Sequence, residues 1–145
     1  MILRLSCLAC LASPAAAWEA SRSGPVCLLS HGTETGQVVV SHDPRKPLPY
    51  AIQIRRLGDP WIDSDIFAMR FDGPNNLTIS TDRHQLTDNN AELTVTDSGF
   101  DNVLRGIEAS QIALAILGEQ ALAFPLDSAA PQVAKFRACA TGAGV

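Results

Sequence analysis

Basic charge and long apolar runs are both scarce in this chain. It carries 11 Lys and Arg against 15 Asp and Glu, a net charge of −4. This balance argues against the dense positive surface with which proteins bind nucleic acid. Residues 112–126 are the most apolar region of the later chain, but Gly118-Glu119-Gln120 interrupts them well short of the roughly 20 apolar residues that span a bilayer. We therefore expect no nucleic-acid partner and no transmembrane segment in the mature chain.

Catalytic and metal-binding motifs are missing as well. The histidines His31, His42 and His84 are too far apart for the close ligand spacing that is typical of zinc sites. No Gly-x-Ser-x-Gly nucleophile elbow accompanies them. The acidic segment 59–65 lacks the glycine and the closing glutamate of a calcium-binding EF-hand loop. We expect no cofactor, no metal and no catalytic residues; a hydrolase that uses one of the histidines is the weaker alternative.

Residues 1–17 have the order of a secretory signal peptide. An early arginine is followed by a short apolar core and then by small residues at Ala15 and Ala17, the pattern that a signal peptidase recognises. This predicts cleavage before Trp18 and a periplasmic or secreted protein. The mature chain, residues 18–145, is expected to form a single domain.

Two of the four cysteines, Cys27 and Cys139, remain after this cleavage. Exported proteins meet an oxidising environment, and two cysteines have one intramolecular pairing. We predict a disulfide that joins the two ends of the domain, which by the chain-entropy model would stabilise it by roughly 4 to 5 kcal/mol. The alternative is a pair of buried free thiols.

The hydrophobic pattern predicts strands first and helices later. Large apolar residues alternate with polar or smaller residues in 50–55, 67–71 and 77–80, and short strands are also expected at 26–30, 37–41 and 92–96. In residues 112–116 the large apolar residues alternate with alanines, and residues 122–126 have the same spacing of large apolar residues. After Gly99, the residues Phe100, Val103, Leu104 and Ile107 have helical spacing. The prediction is an α+β domain: an antiparallel β-sheet or a flattened barrel or sandwich, with two short helices in the C-terminal half.

One loop has the composition of a protein-binding surface. Trp61 follows Arg55 and Arg56 closely, and tryptophan and arginine dominate the energetic centres of interfaces. We take these three residues as the candidate partner-binding site. The alternative is that Trp61 folds back over an open end of the sheet.

Three segments carry a family likeness. Residues 97–104 (DSGFDNVL), 124–130 (FPLDSAA) and 136–139 (FRAC) resemble small exported alphaproteobacterial proteins of the invasion-associated locus B type. The resemblance implies a cell-envelope setting without an established catalytic site, and it transfers no functional residue.

The leading hypothesis is a non-catalytic binding module of the bacterial cell envelope that contacts a protein or another envelope component. A small periplasmic inhibitor of a protease or lysozyme is the alternative, because disulfide-tied β domains with a projecting loop often have that role. The sequence assigns no oligomeric state.

Overall fold

The computed structural model describes residues 17–142, so residues 1–16 of the predicted leader lie outside the described residues. Within that range the strands, in chain order, are β1 (Glu19–Ser23), β2 (Val26–Gly32), β3 (Gly36–His42), β4 (Tyr50–Arg56), β5 (Phe67–Asp72), β6 (Leu77–Thr81), β7 (Gln85–Thr87), β8 (Glu92–Asp97), β9 (Ile112–Leu117) and β10 (Gln120–Pro125). The helices are α1 (Asp101–Ala109) and α2 (Ala129–Ala140).

The strands form two antiparallel sheets. One has six strands in the order β1-β2-β3-β4-β8-β7, and the other has four in the order β10-β9-β5-β6. The predicted α+β class with two C-terminal helices is confirmed, whereas the barrel alternative does not hold because neither sheet closes on itself. Sequence alternation missed β1 and β7: β1 is largely polar, and β7 has only three residues.

The inner faces of the sheets share one hydrophobic core. Leu29, Val40, Ile54 and Phe71 are fully buried in it. At one seam the sheets come so close that a side chain at Gly36 of β3 would collide with Leu122 of β10. The absence of a side chain at Gly36 allows this approach. Neither helix in residues 17–142 is long and apolar enough to cross a membrane.

Strand β9 turns its alanines inward. Ala113 is 2 % exposed while Ile112 is 45 % exposed, because Ala113 lies between Phe71 on β5 and Phe124 on β10 in the sheet register. Two buried phenylalanines leave space for only a small residue between them. Ile112, Leu114 and Ile116 therefore face outward, whereas Leu117 at the end of β9 is buried.

Helix α1 packs through the predicted face. Val103, Leu104 and Ile107 are buried, and Phe100, just before the helix, is buried with them. Gly106 lies on the same buried side, where a Cβ would stand 2.5 Å from Cδ2 of Phe71. The absence of a side chain at Gly106 therefore sets how closely the helix approaches the sheet.

The predicted disulfide is present. It joins Cys27 of β2 to Cys139 of α2, whose Cα atoms are 6.0 Å apart. Helix α2 also contacts α1, β1 and β2, so this bond fixes the last helix to the first hairpin.

We predict that Gly106→Ala destabilises the protein. In an open helix this change stabilises by about 1 kcal/mol, but here the methyl group meets the ring of Phe71, and overpacking typically costs about 1 to 3 kcal/mol. Thermal unfolding should show a lower midpoint. Gly99→Ala is the control, since no atom lies within 4 Å of its Cβ position. A higher midpoint for Gly106→Ala would contradict this packing.

Candidate functional site

The two sheets are open along the seam opposite Gly36. Strand β6 is an edge of the four-stranded sheet, and β7 pairs only with residues 92–94 of β8. The end of β8, from Val95 to Asp97, consequently has no strand on that side. Helix α1 begins just beyond it and contacts β6.

A cavity of about 150 Å³ lies in this seam. Its apolar walls come from both sheets and from α1: Ile52, Phe67, Met69, Ile79, Val95, Phe100 and Val103. Phe100 and Val103 are more than 90 % buried, but neither is sealed completely. An apolar cavity of this volume is large enough to hold a benzene-sized group.

The mouth of the cavity is polar. Arg83 and Asp97 face each other across it, with 3.6 Å between Nη2 and Oδ2, and Thr81 receives a 3.1 Å hydrogen bond from the backbone N–H of Arg83. The Arg83 side chain is 66 % exposed, and exposed ion pairs contribute at most about 1 kcal/mol. A ligand can displace this pair at little cost, and because its charges cancel, the mouth favours no ligand charge.

This arrangement is suited to binding a small apolar group. Arg83 and Asp97 are the ionisable side chains among the residues that line the cavity. An apolar interior with a few polar groups at its entrance is the usual composition of a small-ligand site. The cavity is therefore our candidate functional site.

The structure corrects the role that the sequence suggested for Trp61. The indole is 1 % exposed and its Nε1–H donates to the carbonyl of Ile54 at 3.1 Å. The ring cannot contact a partner from this position. It fills the core where the loop crosses the sheet, which is the alternative in which the tryptophan folds back.

Arg55 and Arg56 do not form one surface either. As neighbours on β4 they point to opposite faces of the sheet. Arg55 pairs with Asp88 and Glu92, both at 2.7 Å. The guanidinium of Arg56 lies 5.2 Å from the centre of the Trp61 ring, a cation–π contact that covers the indole.

The rest of the loop is held at several points. The backbone N–H of Ile62 donates to Oε1 of Gln120 at 2.7 Å, and Nε2 of His84 lies 3.0 Å from Oδ1 of Asp63. The hydrogen bond from His84, helped by the backbone N–H of Ser64, lowers the pKa of Asp63. Between these anchors, the side chain of Ile62 is 71 % exposed.

The other two histidines have separate neighbours. His31 stacks on Trp18 with 5.1 Å between ring centres, and His42 packs against Tyr50 at 4.7 Å. Asp43, which follows His42, is held by Arg45, whose side-chain hydrogen bonds lower its pKa to about 2. Within residues 17–142, no three His, Cys, Asp or Glu side chains are arranged to bind a metal ion.

Comparisons with protein-family models, curated proteins and solved structures found no match for this chain.

Sequence analysis did not find the cavity. Its walls come from five elements that are distant in sequence, and each wall residue looks like an ordinary core residue by itself.

We predict that Val103→Leu stabilises the protein by about 0.5 to 1 kcal/mol, because the extra carbon fills empty apolar space. Val133→Leu is the matched control: Val133 is also on the buried face of a helix but is 0 % exposed and lies away from the cavity. Overpacking there should cost about 1 to 3 kcal/mol. Denaturant unfolding measures both, and equal losses for the two variants would mean that the cavity has no usable space.

Proposed function

We propose that this chain is an exported, non-catalytic binding module of the bacterial cell envelope. It binds a protein or another envelope component by accepting a compact apolar group into the cavity between its sheets. The observation that carries the proposal is the 150 Å³ apolar cavity with the exposed Arg83–Asp97 pair at its mouth.

Two observations support export and cleavage before Trp18. Trp18 is the first buried residue in the described range, 4 % exposed, and its Nε1–H donates to the carbonyl of Pro125 at 2.8 Å. A cut before Trp18 thus leaves the packed core whole. The Cys27–Cys139 bond is of a kind that persists in compartments outside the cytosol, which agrees with a periplasmic or secreted location.

The envelope setting rests on the resemblance to proteins of the invasion-associated locus B type. The segment 97–104 that carries part of this resemblance also contributes to the cavity wall.

Burial of one apolar group accounts for the strength of the interaction. An aliphatic or aromatic side chain gains about 1.5 to 3 kcal/mol on full burial. Loss of that burial corresponds to roughly a 10- to 100-fold weaker complex. A variant with a filled cavity should lose binding by this factor.

The test is capture of partners from a periplasmic extract by the immobilised mature chain, residues 18–145. Val95→Leu combined with Val103→Leu adds two carbon atoms to the cavity walls, which partly fills the cavity and should weaken capture 10-fold or more. Arg55→Ala is the control, because Arg55 belongs to the site suggested by the sequence but lies away from the cavity. It should capture as the wild type does, and all variants are compared only if their unfolding is cooperative.

Two results would contradict the proposal. Undiminished capture by the filled variant would remove the cavity from the binding site. Loss of capture with Arg55→Ala alone would return the site to the loop near Trp61.

One observation favours a second function, inhibition of a protease or lysozyme. Ile62 is an exposed apolar side chain on a loop that is fixed on both sides, by the buried Trp61 and by the Asp63–His84 contact. A rigid loop loses little conformational entropy when it binds, so it can insert a side chain efficiently into an enzyme cleft.

For this second function we predict that the mature chain inhibits at least one enzyme in a panel of lysozymes and periplasmic proteases, and that Ile62→Ala weakens inhibition about 10-fold or more. The control is Ile112→Ala, because Ile112 is also an exposed isoleucine but lies on strand β9 and not on this loop. The absence of inhibition, or an equal effect of both substitutions, would eliminate this candidate.

A further inference from the structure

Strand β10 leaves part of its backbone without a partner. It is one edge of the four-stranded sheet and pairs only with β9. The N–H of Leu126 donates to the carbonyl of Gln111 at 3.0 Å, so the backbone groups of Leu126 point toward the β9 side. Because the N–H and C=O groups of successive residues point to opposite sides of a strand, those of every second residue before Leu126 also point toward β9. The N–H and C=O groups of Ala121 and Ala123 therefore point away from β9.

The free part of this edge is only two residues long. Within residues 17–142, no hydrogen bond reaches the outward groups of Ala121 and Ala123. Pro125 is the next residue whose backbone groups point away from β9. It has no N–H, and its carbonyl already accepts a hydrogen bond from Nε1–H of Trp18. Ala121 and Ala123 are exposed, and a cleft of about 320 Å³ separates them from Thr35 and Leu57.

The other sheet edges have the protection that natural proteins usually give to an edge. Strand β1 carries Glu19 and Arg22 and is contacted by α2, β7 has three residues, and β6 is contacted by α1. Strand β10 has six residues with no charged side chain among them. Strand β6 also lacks charged side chains, but helix α1 contacts it and the Arg83–Asp97 pair lies at its seam, so we take the exposed edge of β10 as the one better placed to accept another strand.

We infer that β10 pairs with β10 of a second copy of this chain, in an antiparallel two-fold arrangement that joins the two four-stranded sheets. Ala121 lies opposite the partner's Ala123, and each of the two pairs exchanges two N–H···O=C hydrogen bonds. If one strand were shifted by two residues along the other, one pair would have to include Pro125, which has no N–H to donate, or Glu119, which lies in the turn before β10. The edge is thus complementary to itself in a single register.

The side chains agree with this pairing. On the outer face, Ala121 is beside Ile116 and Ala123 is beside Leu114 in the β9–β10 register. The two-fold axis continues this apolar stripe across the joint. The alanine methyl groups are small, so they do not hold the two strands apart. Because β10 has no charged side chain, the paired strands do not repel each other.

This inference is independent of the proposed ligand cavity, which is lined by other elements. The test is sedimentation velocity of the mature chain over a concentration series. Ala123→Pro removes an outward N–H without touching the ladder to β9, as proline is tolerated on edge strands. Ala121→Lys adds a charge that repels its copy across the axis. Each variant should raise the dimer dissociation constant at least 10-fold.

Thr78→Lys is the matched control, because it adds the same charge to β6, the other edge strand of the same sheet. It should dimerise as the wild type does. Three results would overturn the inference: a wild type that stays monomeric at all concentrations, dimers that persist in both β10 variants, or an equal loss of dimer in Thr78→Lys. If the wild type is a monomer, the edge of β10 would instead be available to pair with an extended segment of a different protein.

Discussion

The packing around Phe71 determines how the elements of this fold meet. Its ring is fully buried, with Gly106 of α1 above it and Ala113 beside it on β9. A larger residue at either position would push the helix or the neighbouring strand away, since protein interiors leave few voids that can absorb an extra carbon. The close approach of α1 depends on this contact, and so does the position of Val103 in the cavity wall.

The same fold closes one seam and leaves the other open. Gly36 allows Leu122 to pack directly on β3, and Trp61 fills the core near the end of β4. At the opposite seam, β7 is too short to cover the end of β8, and the exposed Arg83–Asp97 pair lies across the gap. The cavity at the open seam is therefore a consequence of strand length and not of a dedicated motif.

Sequence reasoning succeeded where one residue pattern determined the outcome. The alternation in β4 and the helical spacing of α1 were sufficient to place both elements, and two remaining cysteines had one pairing. It failed where side-chain volume across strands decided. The inward alanines of β9 follow from Phe71 and Phe124 on its neighbours. For Trp61 the sequence left two positions open, and the structure has the one in which the indole folds back into the core. The cavity required the positions of two sheets and a helix at once.

The disulfide and the hydrogen bond of Trp18, which hold the two ends of the domain, lie on elements other than those that line the cavity. The disulfide joins β2 to α2, and Trp18 bonds to the end of β10, whereas the cavity walls come from β4, β5, β6, β8 and α1. A ligand that parts Arg83 from Asp97 therefore breaks none of the bonds that secure the ends of the chain. Because these bonds fix the framework before any ligand enters, the proposed binding would lose little of the gain from burying an apolar group to ordering the protein. The elements that secure the ends of the chain and the elements that line the cavity are thus separate, so occupation of the cavity need not disturb the rest of the domain.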